Sequence, residues 1–210
     1  MSLPDNVNLP GGITRNDGEM TNKGIELNLS SQNFRGEFQW NTDFNISFNK
    51  NKLTKLGLNK VYYYAEMYET KENAIILKEG LPLGTFFGYV SEGVDPETGN
   101  IIYKDLNNNG VFDPGDRTTI GCAQPDFIYG MTNTFSYKGI GLSIFLQGSQ
   151  GNDIFNASRI DTEGMFDFRN QSKAVLDRWK RPGMITDIPR AGSIDNSHNS
   201  TCLLYTSDAA

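Results

Sequence analysis

Between Gly36 and Asn49 the chain reads GEFQWNTDFNISFN, and apolar and polar residues alternate almost without error. Phe38, Trp40, Thr42, Phe44, Ile46 and Phe48 hold one parity, while Glu37, Gln39, Asn41, Asp43, Asn45 and Ser47 hold the other. Successive side chains on a strand point to opposite faces, so this pattern predicts a ribbon with one apolar and one strongly polar side. KGIELNLSS repeats it, with Ile25, Leu27 and Leu29 set against Glu26, Asn28 and Ser30. With the short turn QNFRG (32–36) between them, residues 23–49 read as a long hairpin. A second hairpin is expected over 127–148. There Phe127, Tyr129, Met131, Phe135 and Tyr137 are in phase and Asn133 is the exception; KGIG turns the chain, and Leu142, Ile144 and Leu146 share one side of the return.

The connecting segments have a different character. Residues 1–22 are turn-forming and read as a loop before the first hairpin. Residues 50–126 form a long region predicted to hold a short helix around Glu66–Ile76, a further strand over 84–94 (GTFFGYVSEGV), and the Asp/Asn/Gly-rich DLNNNGVFDPGD (105–116). Residues 149–200 are again long and irregular, with a helix expected over 170–179 (NQSKAVLDRW).

The alternation is compatible with a β-sandwich, in which the apolar face packs on a partner sheet. Three features favour hydrocarbon instead. The 37–48 pattern holds for twelve residues, where an ordinary strand has about 5–6 and a tilted membrane-crossing strand needs about 9–11. Short turns at 32–36 and 138–140 alternate with connections of tens of residues, as in outer-membrane barrels, with 50–126 and 149–200 as extracellular loop regions. The apolar parity of the clearest strands carries no charge, and Phe34, Phe38 and Trp40 beside one turn, with Phe135 and Tyr137 beside the other, suit an interfacial aromatic girdle. The expected fold class is therefore all-β: an antiparallel transmembrane β-barrel, in part.

Composition narrows the partners. The net charge of −6, with both signs interspersed and no basic stripe, argues against nucleic acid. No apolar run approaches the roughly 20 residues of a membrane helix, which leaves barrels untouched. No signal peptide is visible, so the protein is expected to be cytosolic or to lack its true N-terminus. Cys122 and Cys202 match no metal or redox spacing.

Several ordered segments resemble the SusC/RagA-type TonB-dependent outer-membrane transporters, in the C-terminal part of their barrel. They are NKGIELNL (22–29), FNISFNKNKLTKL (44–56), EGLPLGTFFGYVSEGVDPETGN (79–100), YKDLNNNGVFDPGDRTTIGCAQPDFIYGMTN (103–133), LQGSQGNDIFN (146–156) and DRWKRPGMITDIPR (177–190). The resemblance implies a barrel of about 22 strands blocked by an N-terminal plug and embedded in outer-membrane lipid. It also implies import of oligosaccharides or peptides, energised by the TonB complex through a missing N-terminal part, with a SusD-like surface lipoprotein as partner. Residues 201–210 (TCLLYTSDAA) depart from the family pattern and resemble translated adaptor read-through, an expected non-native tail. The alternative is a secreted or surface calcium-stabilised β-sandwich that binds carbohydrate.

Candidate chemistry is sparse. With Asp105 as position 1, Asn107, Asn109, Val111, Asp113 and Asp116 fall at positions 3, 5, 7, 9 and 12 of a calcium loop, and Gly110 takes the bend at 6. Against calcium, Pro114 and Gly115 sit where an exiting helix would begin, and such sequences also close as Asx turns. Tyr62, Tyr63, Tyr64 and Tyr68 are placed in an external loop, where they could stack on sugar rings. His198 is the sole histidine and no nucleophile or acid–base pair accompanies it, so no enzyme is expected.

Overall fold

The structure, a computed structural model, describes residues 18–57, 60–66, 72–165 and 168–192. Its largest feature is a four-stranded antiparallel wall in the order β1-β2-β9-β10. β1 (Gly18–Phe34) and β2 (Phe38–Leu56) are 17 and 19 residues long, and β9 (Phe127–Tyr137) and β10 (Ile140–Gln150) have 11 each. All reach the roughly 9–11 residues that a tilted strand needs to cross a bilayer.

Register carries the alternation from strand to strand. Leu27 pairs with Ile46 and Leu29 with Phe44; Phe44 faces Met131 and Trp40 faces Phe135; Met131 faces Leu146 and Phe135 faces Leu142. One face is thus apolar across the wall, and a one-residue slip anywhere would invert it. The β9–β10 turn is only Lys138–Gly139, between the Tyr137–Ile140 pair. Both turn residues have positive φ, 47° and 82°, the mirror-image turn whose twist matches a hairpin. Lys138 tolerates this conformation and Gly139 favours it.

Asn133, out of phase in the sequence, is accounted for by its neighbours. Its Oδ1 accepts from Trp40 Nε1 at 3.0 Å and from Thr42 Oγ1 at 2.7 Å, and Asn33 Nδ2 in turn donates to Thr42 Oγ1 at 2.8 Å. A polar group on an apolar face is tolerable when it is paired, and here the indole, hydroxyl and amides pair with one another. Around them the aromatic cluster forms as expected, with Phe34–Trp40 at 5.9 Å and Trp40–Phe135 at 5.8 Å between ring centroids.

Beyond the wall, the long 57–126 connection folds into a second antiparallel sheet, β3 (Val61–Glu66), β4 (Asn73–Lys78), β5 (Thr85–Gly88) and β8 (Thr118–Cys122), and a small ribbon of β6 (Ser91–Val94) and β7 (Ile101–Tyr103). The helix expected around Glu66–Ile76 is corrected: Asn73–Lys78 is strand, held by β3 on one side and β5 on the other. Residues 67–71 lie outside the described set. At 170–179 the structure has a short 3₁₀ helix, Lys173–Asp177, capped by the Ser172 hydroxyl. A single-turn α-helix, α1, spans Ser158–Glu163. No helix among the described residues is long and apolar enough to cross a membrane.

Candidate functional site: the two faces of the wall and its loop cap

The wall has no protein layer over its apolar face among the described residues; its main contact outside itself is β2 against β4. Ile25 is 73 % exposed, Leu27 56 % and Leu142 56 %. Fully burying one such side chain contributes about 1.5–3 kcal/mol relative to leaving it in water, so a contiguous face of this size marks an interaction surface. From Phe38 to Phe48 is ten steps of about 3.3 Å, and a tilt of about 40° reduces that span to about 25 Å, the height of the apolar band of a membrane barrel. Aromatics close the band at both ends. The Phe34–Trp40–Phe135 group stands at the short-turn end, and Phe48 and Phe127, 5.6 Å apart, stand at the other.

The opposite face is polar. Ser30 Oγ donates to Asp43 Oδ1 at 2.6 Å across β1 and β2. An open groove of about 510 Å³ runs over β2, β9 and β10, lined by Asn45, Ile128, Gly130, Phe145, Gln147 and Ser149 among others. Phe145, 60 % exposed, stands out as an aromatic on this face. Parity analysis centred on the apolar side passes over it.

The loop cap is built differently, around a core of its own. Ala74, Ile76, Phe86, Tyr89 and Ile101 are buried. Arg117 joins the strands: its Nη1 pairs with Glu72 Oε2 at 2.7 Å, its Nη2 donates to the carbonyls of Asn73 and Phe87, and its guanidinium lies 4.6 Å from the Phe87 ring. Tyr89 lies beside the same Glu72, and burial, then that carboxylate, push its phenol up to about 12. Sequence reasoning missed this cluster. The available signal was a lone arginine between a turn and the strand-like TTIGC.

The Asp105–Asp116 loop is closed by its own amides. Asp105 Oδ2 accepts from Gly110 N at 2.8 Å, Asn107 Oδ1 from Asn109 N at 3.0 Å, and Asn109 Oδ1 from Val111 N at 2.8 Å. Asn109 Nδ2 donates to Asp113 Oδ2 at 2.6 Å, and Asp113 Oδ1 accepts from Gly115 N at 2.6 Å. Asp116, 0 % exposed, accepts from the amides of Leu106 (2.9 Å) and Asp113 (3.0 Å). These amide bonds, that of Asp113 foremost, hold its carboxyl below the usual carboxylate range. The six residues of the calcium reading do share one loop. The side-chain oxygens of Asp105, Asn107, Asn109, Asp113 and Asp116 accept from loop N–H groups, and Asn107 and Asn109 turn their NH₂ groups toward Asp113. Among the described residues no group of three or more His, Cys, Asp or Glu is arranged to hold a metal ion. Phe112 pins the loop to the ribbon, its ring stacked 4.6 Å from Tyr103.

Tyr62, Tyr63 and Tyr64 lie on β3, within the long connection between β2 and β9. On β3 they face Leu77, Ile76 and Ile75 of β4, so alternation sends Tyr63 to one side and Tyr62 and Tyr64 to the other. Tyr63 packs 5.6 Å from Phe87. Tyr68, His198 and Cys202 lie outside the described residues. A further joint fixes 95–100 to 177–190: Trp179 Nε1 donates to the Pro96 carbonyl at 2.7 Å and Arg190 Nε to Asn100 Oδ1 at 2.8 Å. Gly99, at φ 73°, lies so close beneath the Trp179 ring that a Cβ there would fall 2.5 Å from Cδ2.

The chain is 32 % identical over 194 residues to TonB-dependent receptor P3 of Formosa agariphila, covering 84 % of this chain and 19 % of that receptor. It is 29 % identical to the TonB-dependent receptor SusC of Bacteroides thetaiotaomicron, covering 79 % of this chain and 18 % of SusC. Its fold matches the structure of the RagAB peptide transporter with a TM-score of 0.73 at 22 % identity, over 85 % of this chain and 21 % of that one. In sequence and in fold the chain is similar to one segment of the SusC/RagA-like TonB-dependent receptors. No protein-family model matches it. As a SusC/RagA-like segment it spans about a fifth of the length of the curated relatives it matches. Its fold class is the expected one: antiparallel barrel wall, in part, with short turns at one end and long connections at the other.

Proposed function

We propose that the wall is a lipid-facing sector of an outer-membrane importer and that the loop sheet is part of its extracellular cap. The observation that carries this reading is the uncovered apolar face of β1, β2, β9 and β10, backed by a polar face with an open groove. A sandwich requires a second layer over Phe44 and Ile46, and among the described residues no sheet packs there. The intact receptor would take up oligosaccharides or peptides with a SusD-like lipoprotein above the barrel and TonB supplying energy from below. The family supports the class of process; relatives named as receptors and as a peptide transporter support import over catalysis.

Within the cap, Tyr62 and Tyr64, which share a face, are the pair we assign to ligand contact, because stacking on a sugar or peptide needs aromatic faces presented together. Tyr63 instead packs on Phe87.

The test uses the intact receptor in bilayers containing brominated acyl chains. A fluorophore on Leu27→Cys should be quenched strongly and one on Asn45→Cys weakly. Equal quenching at both positions would overturn the lipid-facing assignment.

A further inference from the structure

Just above the Phe48 row, on the outward face, the pattern changes abruptly. Lys23 of β1 pairs directly with Lys50 of β2, and the next outward pair on that face is Thr21 with Lys52. All three lysines are exposed, and no ion pair engages them among the described residues. The next cation along, Lys55, is already paired with Glu19 at 3.5 Å. Like charges directly opposite one another on a strand pair are destabilising, and more so beside hydrocarbon, where the effective dielectric is low. Two lysines opposed in register, with a third one step away on the same face, therefore make a site for an anion supplied from two strands.

Its position selects the source of that anion. The patch continues the apolar face directly: Ile25 pairs with Phe48 immediately below the Lys23–Lys50 pair, and Phe127 flanks Phe48. A lipid with its acyl chains on this face would present its headgroup at the height of the lysines. We infer that Lys23, Lys50 and Lys52 bind the phosphate of an anionic lipid headgroup in the outer leaflet, anchoring the rim of the barrel at the long-loop side. This rests on the lipid-facing reading above, and its test separates the two.

The intact receptor in detergent is titrated, by native mass spectrometry, with dioleoyl phosphatidic acid, with dioleoylglycerol, which lacks the phosphate, and with inorganic phosphate alone. The wild type should retain phosphatidic acid and release dioleoylglycerol. Replacing the three lysines together (K23Q, K50Q and K52Q) should weaken phosphatidic acid at least tenfold, arginine at the same three positions should preserve it, and K55Q should leave it unchanged. Should the triple glutamine variant fail to fold, K23Q and K50Q singly carry the test, each expected to weaken binding about threefold. Unchanged affinity in the glutamine variants would overturn the assignment, as would equal retention of dioleoylglycerol. Inorganic phosphate binding as tightly as the lipid would overturn it in favour of a free-anion site. If bromolipid quenching at Leu27→Cys succeeds while the lysine variants bind normally, only this inference falls.

Discussion

The wall and the cap solve the same problem, disposal of apolar surface, in opposite ways. The wall turns Ile25, Leu27, Leu29 and Leu142 outward and keeps its polar residues facing the groove. The cap turns Ala74, Ile76, Phe86 and Tyr89 inward and ties its strands with a half-buried Arg117–Glu72 pair. One region borrows its hydrophobic partner from the surroundings, and the other makes its own. Damage to each should therefore be read out in a different medium, the cap in water and the wall in lipid.

The largest contrast is expected from Arg117→Ala, which removes the ion pair with Glu72 and the bonds to the Asn73 and Phe87 carbonyls. Hydrogen bonds to a charged group contribute about 1.5–3 kcal/mol each, and this change removes several. Hydrogen exchange should show β4 and β5 losing protection while β1 and β2 keep theirs; equal losses in both regions would erase the distinction. Leu29→Arg, in the Phe44 row near the middle of the band, is the complement. A cation at mid-depth on the lipid face costs about 2–4 kcal/mol, measured as a lowered urea midpoint for the vesicle-inserted receptor, whereas Asn45→Arg on the groove face should cost less. Asp116→Ala should cost about 1–3 kcal/mol, since it strands the Leu106 and Asp113 amides, and proteolysis near residue 110 should report it.

The same carboxylate sets a pH dependence. Its folded pKa lies below its ordinary value of 3.8, so its contribution is complete above that value and is lost as pH falls through the folded pKa. The Asp105–Asp116 loop should open there before the wall does. Tyr89 acts at the other extreme. With its phenol raised from 10.0 to about 12, the cap should lose stability as pH climbs from about 10 towards 12, an effect that Tyr89→Phe removes. The smallest effect concerns calcium. We propose that the loop closes on its own amides, so calorimetric titration should give no heat; calcium-dependent heat lost in Asp105→Ala would restore the ion-binding reading.

The difference between the regions also explains what the sequence disclosed. Period-2 patterning is a direct imprint of a two-sided environment, and β2 carried it without interruption, so the hairpins and the fold class were legible. Asn133 broke the pattern because Trp40 and Thr42 satisfy it, a relation across strands that no local window contains. β4 was misread because NAIILK is short and follows AEMYETKE, whose residues favour helix; pairing with β3 and β5 overrode that propensity. The 170–179 segment kept only a 3₁₀ turn, with Pro182 and Gly183 close behind it. The Arg117 cluster drew its parts from residues 72, 73, 87, 89 and 117, a spread that spacing rules do not reach.

The hydrogen bonds at the base of the cap bear on how the barrel is assembled. Leu53 N donates to the Leu81 carbonyl at 2.9 Å, and Ala123 N donates to the Gly84 carbonyl at 2.9 Å, so the start of β9 is brought back to the end of β2 in two short hops. An unstructured tether between those strands would pay a closure entropy that grows with the logarithm of its length. A cap that folds first removes most of that cost, leaving two ready-made hairpins held edge to edge. On that view the cap sheet is a jig for zipping the seam between the hairpins, and weakening it should slow insertion even where the finished barrel is equally stable.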